Sequence, residues 1–166
     1  MRILGIDPGS RVTGYGIITV HNNQAIYHAS GCIKLGDGPL PGRLAQIFAD
    51  LQSLIQSHQP QVMAIEQVFV SHNVSSAIKL GQARGAAICA GASAGLPVSE
   101  YTATQIKQTV AGTGRAAKQQ IQHMVKMLLK VQGEIATDAA DALAVALTHA
   151  RFSQAQNQLE RTGDRQ

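Results

Sequence analysis

Three apolar segments of this chain carry acids where burial should exclude them. Asp7 ends the run Arg2-Ile-Leu-Gly-Ile, Glu66 ends Val62-Met-Ala-Ile, and Asp138 and Asp141 open a stretch otherwise made of Ala, Leu and Val. A buried unpaired carboxylate is costly, and several close together repel one another. A fold that buries all three segments must therefore scatter the four acids or gather them around a counter-charge. The i, i+3 spacing of Asp138 and Asp141 puts both on one helix face, where they can share a ligand. Hard divalent cations take oxygen ligands, and two such ions roughly 3.5–4 Å apart form a clamp for in-line phosphodiester displacement. Each acid alone has a plainer explanation: the helical pair favours a helix amino terminus, Asp7 precedes Pro8 in a turn, and Glu66 can pair with an arginine. Together, in a chain with only ten acids, Asp7, Glu66, Asp138 and Asp141 point to a shared site for two Mg²⁺ ions, with Mn²⁺ able to substitute.

The hydropathy pattern supplies elements that could bring them together. Arg2–Asp7 reads as a buried strand, Gly14–Val20 as a second, and Ala25–Leu35 as a third after the turn His21-Asn22-Asn23-Gln24, giving an antiparallel meander. Leu44, Ile47, Phe48, Leu51, Leu54 and Ile55 then recur at helical spacing up to Pro60. A strand at Val62–Ile65, a helix from Ser75 to about Ala94 and a strand at Leu96–Tyr101 follow. Helices are expected at Thr104–Val110, at Ala116–Val131 with Ile121, Val125, Leu128 and Leu129 inward, and at Asp138–Phe152. This order predicts an α/β fold, a mixed five-stranded sheet of meander plus parallel strands flanked by helices. Residues 1–152 are expected to form one domain, and 153–166, with a single Leu, a disordered tail.

Composition narrows the class. The core must be aliphatic, since the 166 residues include no Trp, three Phe and three Tyr. Cys32 and Cys89 lie far apart and are expected to be buried free thiols rather than a disulfide or zinc pair. No apolar run is long enough for a signal peptide or membrane span, so a soluble cytoplasmic protein is expected. None of the six histidines has ligand spacing. The net charge of +4 favours a polyanionic partner. Between Gln67 and Lys130 there are seven basic residues and one acid, a block that could line the rim of the site and contact phosphates.

At these residues the sequence closely resembles the RuvC family of bacterial Holliday-junction resolvases. The matching stretches are ILGIDPGSRVTGYG from Ile3, IEQVF from Ile65, AIKLGQARG from Ala77, QIKQTVAGTGRAAK from Gln105 and TDAADALAVALTH from Thr137, in order and spanning nearly all of residues 1–150. The resemblance implies a ribonuclease-H-like fold, a homodimer, and Mg²⁺-dependent nicking of two strands of like polarity at a four-way DNA junction. Such nicks leave 5′-phosphate and 3′-hydroxyl ends. It places the family's catalytic carboxylates on Asp7, Glu66, Asp138 and Asp141, and basic residues near the scissile phosphate on Lys107 and Lys118. It also implies a RuvA–RuvB branch-migration complex as partner. Arg84 and Arg115 of the basic block are further candidates for DNA contact, and Phe69 is a candidate for stacking on an unpaired base. Gly81 and Gly85, a helical turn apart, mark either a dimer seam or close packing on the sheet.

Asp-Pro-Gly-Ser beside Gly14-Tyr15-Gly16 also resembles the phosphate turn of actin-like ATPases, but that reading needs a second lobe. A junction-binding scaffold without catalysis would explain the basic block and leave the four acids unexplained.

Overall fold

The computed structural model describes residues 1–68 and 73–163. Five strands, β1 (Arg2–Asp7), β2 (Val12–His21), β3 (Gln24–Lys34), β4 (Val62–Glu66) and β5 (Val98–Tyr101), form one sheet in the order β3-β2-β1-β4-β5. The first three pair antiparallel, while β4 lies parallel to β1 and β5 parallel to β4, as the order of elements predicts. Both residues of the β2–β3 turn, Asn22 and Asn23, have positive φ, the conformation that tight hairpins need and Asn tolerates.

Strand periodicity sorts the core onto two faces. Leu4, Ile6, Ile17, Met63 and Ile65 meet Ile47, Leu51 and Ile55 of α1 (Leu40–His58) and Ala83, Ala87 and Ala90 of α2 (Val74–Ser93). On the opposite face Ile3, Ile18, Val62 and Ala64 meet α3 (Ala103–Ala111), α4 (Lys118–Leu129) and α5 (Thr137–Gly163). Among the described residues, no helix is long and apolar enough to cross a membrane.

Several expectations are corrected. Helix α1 starts at Leu40 rather than Leu44, because Pro41 is tolerated in a first turn where its missing N–H has no helical partner. Helix α5 does not stop at Phe152 but continues to Gly163, since Ser153–Thr162 contains no Gly or Pro and is rich in helix formers. Leu128 of α4 is 38% exposed, while Ile121, Val125 and Leu129 form the buried stripe. Cys32 is half-buried and Cys89, on α2, is exposed.

One histidine proves to be part of the core. His149 is buried in α5 with its Nδ1 2.8 Å from the Tyr101 hydroxyl, and burial pushes its pKa below the ordinary value of 6.5. The folded state therefore binds this proton less well than the unfolded chain. The stability His149 supports is fully present above pH 6.5 and is lost as pH falls below it toward the folded pKa. Thermal unfolding between pH 7 and 5 should show a stability loss of up to about 1.4 kcal/mol per pH unit from this one group. His149→Gln should flatten that part of the profile, and an unchanged slope would contradict this account.

Candidate active site

The carboxyl ends of β1 and β4 set the first two acids side by side. Gly5 pairs with Ala64 and Ile6 with Ile65, so the same register carries Asp7 and Glu66 to the ends of adjacent parallel strands. Period-two alternation puts Ile3, Gly5 and Asp7 on the α5 side of the sheet, with Val62, Ala64 and Glu66. This edge, outside the carboxyl ends of parallel strands, is where open α/β sheets bind their ligands.

The helical pair reaches the same place because α5 lies almost against the backbone of the sheet. Gly5 and Gly16 are cross-strand partners, as are Asp7 and Gly14. A Cβ at Gly5 would fall into the Ala142 carbonyl and 2.8 Å from the Ala146 nitrogen, and one at Gly16 would stand 2.7 Å from Leu143 Cδ2. A Cβ at Gly14 would fall into the carbonyl of Asp138 itself. Three glycines opposite the alanine-rich face of α5 thus fix the depth of the helix, and with it the positions of Asp138 and Asp141. These glycines are functional positions that the acid pattern alone does not reveal. Their signal is Gly recurring inside strands, which marks close backbone approach.

Asp7, Glu66 and Asp141 line a cleft of about 350 Å³ together with Lys107, Lys118, Ile106 and Ile121. Lys107 comes from α3, whose start is fixed by a capping box between Thr102 and Gln105 and whose Ile106 and Val110 are buried in the core shared with α4 and α5. Lys118 is the first residue of α4, and its Nζ lies 2.7 Å from Asp141 Oδ2. A larger groove of about 600 Å³ lies at the opposite end of the sheet, beside the β2–β3 turn. Its charged lining residues are Lys130 and Arg151, and it contains none of the four acids.

Electrostatics in the cleft follow from crowding. Burial, then the charges of Glu66, Asp141 and Asp138, push Asp7 from 3.8 up to about 7, against the pull of Lys118. Burial and Asp141 raise Glu66, with Lys118 and Lys107 opposing. The bond to Asp141 holds the Lys118 ammonium above its usual range, while burial works the other way. Asp138 does not line the cleft, yet its charge reaches Asp7. Among the described residues, no three acid, His or Cys side chains converge on one ligating point. The donor chemistry nevertheless suits a hard divalent cation: all four groups offer oxygen, and their mutual repulsion is what such an ion would relieve.

The remaining predicted residues fare differently. Arg84 sends its Nε to the Glu66 carbonyl at 3.1 Å and ion-pairs with Glu100. These contacts tie α2 to the ends of β4 and β5. Arg115 is exposed in the α3–α4 connection and does not line the cleft. Gly81 and Gly85 lie on α2, where an added methyl would meet nothing within 4 Å, whereas Ala83, Ala87 and Ala90 make the contact with the sheet. Phe69 lies outside the described residues.

Residues 3–149 match the family model described as crossover junction endodeoxyribonuclease RuvC. The chain belongs to the RuvC family. Crossover junction endodeoxyribonuclease RuvC of Shewanella amazonensis is 58% identical over 147 residues, covering 89% of this chain and 85% of the relative. RuvC of Alkalilimnicola ehrlichii is 52% identical over 162 residues, 98% of each chain. Among solved structures, Thermus thermophilus RuvC in complex with Holliday junction substrate matches with a TM-score of 0.88 at 33% identity, covering 94% of this chain and 96% of the other. The ribonuclease-H-like fold expected from the RuvC resemblance is the fold of this chain.

Proposed function

We propose that this RuvC-family chain is a Mg²⁺-dependent endonuclease that resolves four-way DNA junctions by paired, symmetric nicks, leaving 5′-phosphate and 3′-hydroxyl ends. The observation that carries this reading is the convergence of Asp7, Glu66, Asp141, Lys107 and Lys118 on one cleft at the carboxyl ends of parallel strands. Asp7, Glu66, Asp138 and Asp141 would hold two Mg²⁺ ions, whose chemistry when bound is to activate water and offset charge on the scissile phosphate. Asp7, at the end of the central strand β1, is the carboxylate best suited to be shared, and the charges of Glu66, Asp141 and Asp138 all act on it. Lys107 and Lys118 approach from α3 and α4 and orient the phosphate by charge. Arg115, in the connection between those two helices, adds a peripheral phosphate contact, and Phe69 stacks on a base unpaired at the junction centre.

Two symmetric cuts require two sites, and α2 offers the surface for a homodimer. Val74 and Ile78 are 63% and 57% exposed, and Gly81 and Gly85 continue their stripe at helical spacing. A second α2 could approach this stripe closely, as small residues permit. Residues 1–152 supply the nuclease domain of this cytoplasmic enzyme, and the RuvA–RuvB complex its branch-migration partner.

The test is a synthetic four-way junction. With Mg²⁺ the purified protein should cut two opposed strands to ligatable nicks, EDTA should stop cleavage without releasing the junction, and a linear duplex of the same sequence should remain intact. A junction left whole in Mg²⁺ would reduce the reading to a binding protein.

A further inference from the structure

We propose that the Lys118 ammonium is a built-in counter-ion of the metal-free site, which occupies Asp141 Oδ2 and must let go before that oxygen can ligate a divalent cation. This rests on the reading of the four acids as metal ligands and adds a competitor for one of them. Of the two lysines lining the cleft, Lys118 is the one ion-paired among the described residues, at 2.7 Å from Asp141 Oδ2. Its partner is held and largely covered, the Asp141 side chain being 20% exposed on the second turn of α5, whereas the Lys118 side chain is 58% exposed.

That asymmetry makes the lysine the member that can leave. Its stem projects from the first turn of α4, and a released ammonium stays at the mouth of the cleft in water, where it loses little solvation. The Asp141 oxygen is then free to serve a cation at the much shorter distance of metal ligation, about 2.0–2.1 Å for Mg²⁺. Ammonium and metal are thus alternative occupants of one oxygen, and metal affinity is lowered by the exchange. A released Lys118 also gains a free positive charge facing the cleft. A phosphate bound there and a metal bound at Asp141 favour the same released state, so each should strengthen binding of the other.

The direct measurement is Mn²⁺ binding to the full-length protein without DNA, read by loss of the free-ion electron paramagnetic resonance signal. Lys118→Met should bind Mn²⁺ about fivefold more tightly than wild type, the scale set by loss of one partly exposed ion pair. Lys118→Gln should do the same, and Lys118→Arg, which keeps the charge, should match wild type. Equal or weaker binding in both charge-free variants would overturn the proposal while leaving the metal site standing. Wild type and Asp141→Asn binding alike would instead show that Asp141 is no ligand, and would remove the metal reading on which the proposal rests.

Discussion

Asp7→Asn should abolish junction cleavage, leave junction binding intact and make the metal-free protein more stable. The amide keeps the size and the strand-end position of Asp7 while removing the charge that three neighbouring carboxylates and burial oppose. Loss of the ligand proposed to be shared is expected to lower the cleavage rate by about 10³-fold or more, equivalent to roughly 4 kcal/mol of transition-state stabilisation. Binding should be equal or tighter, because a carboxylate facing a phosphodiester repels it. A variant that cleaves within about tenfold of wild type, in a standard gel assay of a synthetic junction, would remove Asp7 from the site.

The stability arm has a defined sign. Asp7 has a folded pKa of about 7 against an ordinary 3.8, so its folded form holds the proton more tightly than the unfolded chain. Stability from this group is fully present below pH 3.8 and is lost as pH rises through 7. Asp7 therefore contributes a loss of stability to the metal-free wild type as pH rises from about 4 to 7, opposing the contribution of His149, and the difference between wild type and Asp7→Asn isolates this component. At pH 8 without metal the variant should be more stable by about 2 kcal/mol or more, or roughly 5 °C in Tm for a chain of this length. Divalent ions should raise the Tm of wild type and do so less for the variant. A lower Tm for the variant at pH 8 would mean that Asp7 is satisfied by contacts other than a cation.

The four acids are legible in the sequence because each breaks a local rule. Asp7 and Glu66 terminate apolar strands, and the Asp138/Asp141 pair charges an otherwise apolar helix, so burial and repulsion alone nominate them. Strand order is legible for a similar reason, since a meander followed by alternating helices and strands leaves few ways to build one sheet. Other features depend on long-range packing that no local pattern encodes. Arg84 reads as one more member of a basic block, and only the placement of α2 over the ends of β4 and β5 turns it toward the Glu66 carbonyl. His149 reads as a histidine without ligand spacing, and its proximity to Tyr101 spans 48 residues of sequence. The continuation of α5 past Phe152 is hidden by polarity, because a run rich in Gln, Ala, Glu and Arg has no apolar stripe to announce a helix.

Gly14→Ala should cripple junction cleavage through geometry alone, by moving two of the acids proposed to hold metal. The added methyl would coincide with the Asp138 carbonyl and stand 3.1 Å from the Ala139 nitrogen, both of them backbone atoms that cannot rotate away. Either β2 or the first turns of α5 must move, and β2 is held on both sides by β1 and β3. The helix is therefore the part that shifts, taking Asp138 and Asp141 away from Asp7 by something on the order of 1 Å. A displacement of that size at reacting groups can cost about 10²-fold in rate, and overpacking of this kind costs roughly 1–3 kcal/mol in stability. The two effects separate on titration with metal: a displaced ligand pair raises the Mg²⁺ concentration needed for half-maximal cleavage, which a purely destabilised but correctly folded fraction would not do. Gly42→Ala is the matched control, as its methyl would meet nothing within 4 Å on the first turn of α1, and it should be neutral or slightly stabilising with full activity. Normal cleavage with a normal Mg²⁺ requirement in Gly14→Ala would show that the depth of α5 on the sheet does not set the spacing of the carboxylates.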